Sequence, residues 1–101
     1  MALEQKLEQH LVNEVRKHGG LCWKLTSPGT AGVPDRIIIL PGGRIAFIET
    51  KAPGQQPRPI QVRRHNQLKQ RGAHIYTIDH PNQIPHILHE IQTTRLPTSG
   101  H

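Results

Sequence analysis

The sequence predicts an α/β fold whose sheet is covered on both faces, and three observations carry that prediction. Leu3, Leu7, Leu11 and Val15 recur every four residues with Val12 beside them, the stripe of an amphipathic helix. Two β-rich runs flank Pro41-Gly42-Gly43 and read as a hairpin. The run Ile37 to Leu40 is apolar on both of its faces, as in a strand held between layers rather than one half exposed to water.

Taken in order, the first helix runs from about Ala2 to His18, and Gly19-Gly20 stops it where a left-handed C-cap would sit. Leu21 to Leu25 is a short mixed segment compatible with a strand. Thr26 to Gly32 is rich in turn residues and reads as an exposed loop, either a plain connector or a segment that touches a ligand. The hairpin pairs Val33–Leu40 with Arg44–Lys51. A breaker-rich loop at 52–59 precedes a polar, basic helix from Ile60 to Arg71, ended by Gly72. His74 to Ile78 alternates as a strand, Asp79 to Asn82 turns with Asn82 as N-cap, and Ile84, Ile87, Leu88 and Ile91 form a last helical stripe. The order is α-β-β-β-α-β-α. One domain over 1–92 and a flexible tail over 93–101 complete the reading.

The 101 residues, 34% of them hydrophobic, suffice for one small core and exclude two-domain or solenoid architectures. Thirteen Lys and Arg against seven Asp and Glu give a net charge of +6, with a pI near 10.3, so a polyanion is the expected partner. A single cysteine, Cys22, makes no internal disulfide and points to an intracellular chain. No apolar stretch approaches the roughly 20 residues of a membrane span, and the amphipathic N-terminus is not a secretory signal, which predicts a cytoplasmic protein without membrane partners. Trp23, Phe47 and Tyr76 are the only aromatics, too few for the stacking platform of a single-strand binder; duplex or branched DNA fits better.

The chemistry concentrates in the hairpin. A three-residue turn at 41–43 sets Asp35 directly opposite Glu49, with Lys51 on the same side two residues on. Two adjacent carboxylates repel each other unless a cation sits between them. Magnesium needs only one or two carboxylates beside water and substrate phosphate, and it lowers the pKa of a coordinated water while Lys51 orients the nucleophile or stabilises developing charge. The same three residues also make sense as an ordinary cross-strand salt bridge.

Gly32-Val33-Pro34-Asp35, followed after the hairpin by Ile48-Glu49-Thr50-Lys51, resembles the PD-(D/E)XK nuclease signature with Glu-X-Lys as its second half. The leading helix, GVPDR, GGR, ETKAPG, and Gln61 followed by Leu68 and Gly72 narrow the resemblance, over about residues 3–78, to a stand-alone VRR-NUC domain. It implies a restriction endonuclease-like core, a mixed central sheet flanked by helices, that hydrolyses DNA with Mg2+ or Mn2+. By motif position Asp35 and Glu49 would be metal ligands with the carbonyl of Thr50, and Lys51 the catalytic lysine. Gln61 would lie near the active site, and Glu4, within about 20° of the centre of the helical stripe, would be the N-terminal helix glutamate, with Glu8 as its competitor. Stand-alone members resemble homodimers acting on branched DNA such as four-way junctions.

Arg36 at the hairpin and Arg58, Arg63, Arg64 and Lys69 just after the site read as a phosphate clamp, or as a solvated face. His65, one helical turn after Gln61, approaches the site or packs against the sheet edge; packing or a phosphate contact is the favoured reading. His86 and His89 lack further ligands at metal spacing and read as surface histidines. The apolar face of the last helix packs on its own sheet or serves a dimer. The expected function is a metal-dependent DNA endonuclease selective for branched DNA. Its rivals are a non-catalytic basic DNA-binding module and a basic protein-interaction domain.

Overall fold

The computed structural model describes residues 3–94. In chain order it contains α1 (Leu3–Lys17), β1 (Leu21–Lys24), β2 (Arg36–Leu40), β3 (Arg44–Thr50), α2 (Pro59–Gln70), β4 (Ile75–Ile78), a 3-10 turn (Pro81–Gln83) and α3 (Ile84–Thr93). The expected order is therefore observed. The four strands lie in that same order across one sheet, antiparallel from β1 to β3 and parallel between β3 and β4. A parallel pair requires a crossover longer than a turn, and α2 supplies it.

Successive residues of a strand face opposite sides, so β3 divides its work. Ala46 and Ile48 join Ile38 and Leu40 of β2 in the core, packed with Leu7, Leu11 and Val15 of α1 and with Ile84, Ile87, Leu88 and Ile91 of α3. The α3 stripe is thus consumed by its own sheet and offers no dimer face. Gly20 has no room for a side chain, because a Cβ there would lie 2.7 Å from Leu40 Cδ2 and 2.9 Å from Ile39 O. That close approach lets β1 follow α1 directly.

Several boundaries differ from expectation, with β2 beginning at Arg36 rather than Val33, α2 running Pro59–Gln70 rather than Ile60–Arg71 and β4 beginning at Ile75 rather than His74. Asn82 does not cap α3; its N–H donates to His80 Nδ1, while Gln83 Oε1 accepts from the N–H groups of Asp79 and His80. A 3-10 turn entered by proline replaces the N-cap, since a histidine ring offers the acceptor that the N-cap would have supplied. Thr93, assigned to the tail, is helical, and Arg44 donates to the carbonyl of Thr94; 95–101 lie outside the described residues, as does the Ala2 start of the first helix.

Candidate active site

The hairpin turn has the expected three residues, with Leu40 paired to Arg44 and Arg36 to Ile48. Continuing that register places Asp35, whose carbonyl accepts from Leu25 N–H at 2.8 Å, across from Glu49 at the end of β3. Asp35 Oδ2 accepts the main-chain N–H of Thr50 at 2.8 Å and its hydroxyl at 2.9 Å. Both bonds end on one oxygen, so neither engages Oδ1.

Glu49 is 1% exposed. Its Oε1 lies 3.4 Å from His65 Nε2, and its Oε2 lies 3.3 Å from Gln61 Nε2 and 3.9 Å from Lys51 Nζ. Burial foremost, then a hydrogen-bonding interaction with Asp35 and the repulsion of its charge, push the Glu49 carboxyl up to about 8; Lys51 opposes the rise and Glu4 adds to it. His65 is also buried, and desolvation with the nearby charges of Lys69 and Lys51 holds its pKa below the ordinary value. Gln61 is fixed from both ends, because its Oε1 accepts the N–H of Arg58 at the start of α2 at 2.8 Å. That bond occupies the amide oxygen and turns the NH2 group toward Glu49.

Among the described residues no three His, Cys, Asp or Glu side chains converge closely enough to hold a metal ion by themselves. The donor chemistry nevertheless fits a hard divalent ion. Asp35 and Glu49 are two neighbouring carboxylates whose joint ionisation is resisted, and such a pair accepts a cation that completes its shell with carbonyl, water and phosphate oxygens.

No family model matches the chain. A protein of Acyrthosiphon pisum secondary endosymbiont phage 1, described as "Putative nuclease p44", is 50% identical over 76 residues, covering 75% of this chain and 82% of that protein. A solved structure described as a VRR_NUC domain superposes with a TM-score of 0.84 at 30% identity, across 88% of this chain and 97% of its own. This chain belongs to the VRR-NUC family.

In this VRR-NUC domain the remaining expected residues divide into two groups. Glu4, in the first turn of α1, bears on Glu49 through its charge, whereas Glu8 is engaged by the Arg36 guanidinium at 3.1 Å. The two carboxylates that the helical stripe left in competition are thereby separated. Arg36 and Arg64 both have intramolecular partners, since Arg64 Nε donates to Ala31 O at 2.8 Å and its Nη1 to Gln67 at 3.1 Å. Arg58, Arg63 and Lys69 are exposed. The VRR-NUC site brings together Asp35, Glu49, Thr50, Lys51 and Gln61, and adds His65, which sequence reasoning weighed toward packing. Its spacing of four from Gln61 was the signal that both side chains reach one target.

Proposed function

We propose that this protein is a metal-dependent DNA endonuclease that hydrolyses phosphodiester bonds. The observation that carries the reading is Glu49, a buried carboxylate set beside a second carboxylate and a lysine, at the end of a strand. A buried acid of this kind is costly to ionise without a cation, and strongly perturbed groups cluster where chemistry is done.

Asp35, Glu49 and the main-chain carbonyl of Thr50, with Glu4 nearby, are the groups that would hold Mg2+ or Mn2+. When bound, such an ion supplies electrophilic stabilisation of the phosphodiester and activation of water. The chain's own residues then have separable tasks. Thr50 anchors Asp35 through Oδ2. Gln61 orients Glu49. Lys51, 12% exposed at its side chain, brings a positive charge to the edge of the site, where it orients the nucleophile and stabilises the charge that grows on phosphorus oxygens. Arg58, Arg63 and Lys69 face solvent on and beside α2 and would contact flanking phosphates.

A homodimer acting on branched DNA is the assembly we favour, and the apolar sheet face supports it. Strand register puts Leu21, Ile39 and Ile45 in one row and Trp23, Ile37 and Phe47 in the next, on the same face as Glu49. Leu21, Trp23 and Ile45 remain exposed, Trp23 at 57%. In a chain of net charge +6, an uncharged patch is where a second copy meets the first without like-charge repulsion. Two copies related by a two-fold axis would present two sites to the two symmetric strands of a junction. No helix among the described residues is long and apolar enough to cross a membrane, and we place the activity in the cytoplasm of a bacterium or phage-infected host, where DNA is at hand.

The test is cleavage of matched linear, flap and four-way-junction DNA with Mg2+ or Mn2+, beside folded Asp35→Asn protein. Metal-dependent cutting that the variant loses supports the reading. Tight, salt-sensitive binding without cutting by either protein would make this a DNA-binding module with structural acids.

A further inference from the structure

The buried histidine of α2 is a polar group that the reaction outlined above does not use. Its Nε2 faces a carboxylate oxygen, so in the ionised site it is the protonated nitrogen, since two acceptors cannot bond each other. Gln61 and His65 stand one helical turn apart and reach opposite oxygens of the same carboxylate, Oε2 and Oε1. Their rotamers are restricted by burial, at 6% and 5% exposure, and Gln61 is further tied to Arg58 N–H. Lys51, like Gln61, approaches Oε2, and His65 is the nitrogen-bearing side chain set against Oε1.

We propose that His65 is a positioning residue for Glu49, fixing the plane of its carboxylate from the side that Gln61 does not reach. A buried carboxylate with one partner pivots about its last torsion, which is broad and soft; with two donors from one rigid helix it does not. A lysine or arginine at this position would do the same at the cost of a second full positive charge in competition with a divalent cation. A neutral imidazole donor orients the acid without adding charge, a role familiar for groups just outside a metal's ligand shell.

The proposal rests on the metal reading above, and the test separates the two. Mn2+ binding to DNA-free protein is followed by electron paramagnetic resonance for wild type, His65→Leu and His65→Gln, with thermal melts verifying that each is folded; His65→Met replaces the leucine variant if that one does not fold. Gln places an N–H donor close to where Nε2 stands, and Leu offers none. His65→Leu is expected to weaken Mn2+ binding about 10–100-fold, the usual effect of removing such a support, and His65→Gln to restore most of it. Equal affinity in all three, or equal weakening in both variants, overturns the proposal, the first pointing to no role and the second to packing alone. In metal-free protein the Glu49 side-chain carboxyl 13C resonance should move in His65→Leu and stay near its wild-type position in His65→Gln. An unmoved resonance in His65→Leu overturns the positioning role even if wild-type protein binds no Mn2+, a result that by itself would sink only the metal reading.

Discussion

Asp35 is anchored by Thr50: its Oδ2 takes both the amide N–H and the hydroxyl of Thr50, at 2.8 and 2.9 Å. An asparagine at position 35 can accept the same two bonds through its amide oxygen while losing the charge. Asp35→Asn is therefore expected to keep the wild-type melting temperature within a few degrees and to cut DNA at least about 100-fold more slowly. Circular dichroism melts and initial rates on one preparation decide this, and a variant that unfolds would show the charge to be structural.

Glu49 makes stability fall as pH rises. Its carboxyl is raised to about 8 in the fold against 4.5 for the unperturbed group, so between those values the folded protein holds a proton that the unfolded chain has released. The stabilisation is complete below pH 4.5, is lost as pH climbs toward 8, and changes no further above that. Glu49→Gln should consequently be inactive yet melt higher than wild type at pH 8, with the difference vanishing near pH 4.5. Mg2+ should narrow the same gap at pH 8 and have no effect at pH 5.

Gln61 joins the start of α2 to Glu49, and its two ends are separable by substitution. Gln61→Glu retains the acceptor for Arg58 N–H but sets a third acid against Glu49 and Asp35. Its helix should survive and its activity should not. Gln61→Ala loses the cap as well, for about 1 kcal/mol of stability. If Gln61→Glu cleaves as well as wild type, the amide has no part in orienting Glu49.

Arg63 and Arg64 are neighbours in sequence with different surroundings. Arg63 is exposed, while Arg64 Nε is bonded to Ala31 O, beside Gly32, where a Cβ would lie 2.8 Å from Ile60 O. The salt dependence of DNA affinity distinguishes a phosphate contact from a loop clasp. Arg63→Ala should reduce the slope of log K against log salt by about 0.9, and Arg64→Ala should leave the slope unchanged while lowering kcat. Equal slope changes would place both on DNA.

Trp23→Glu places a charge in the uncharged face. If the proposed dimer forms, sedimentation should find a folded monomer for this variant and a dimer for wild type, with junction cutting reduced more than cutting of linear DNA. A wild-type monomer at micromolar concentration would overturn the assembly.

Much of this was legible because it is local. The hairpin register followed from a three-residue turn, and with it the placement of Asp35, Glu49 and Lys51, all within one short stretch of chain. The amphipathic stripes of α1 and α3 located the core. What escaped depends on contacts between distant segments, such as Arg36 with Glu8 and Arg64 with Ala31, which no periodicity encodes. The role of His65 is hidden in the sequence for another reason. A histidine on a helix facing a sheet is most often packing, and only the position of Glu49 on the neighbouring strand gives it a target.

The turn between β2 and β3 lies at the end of the hairpin remote from the acids, and although a Cβ on Gly43 would meet nothing within 4 Å, Gly42 and Gly43 sit at φ 90° and 74°, a conformation that strains any side chain. Most surface turns of this sort tolerate insertions and deletions as readily as substitutions. Here one added or lost residue would rotate the whole β3 alternation, sending Glu49 and Lys51 toward α1 and α3 and Ile48 into the site. That turn is therefore held in composition by its two positive-φ glycines and in length by the register, where a change is silent only in pairs or with a compensating bulge.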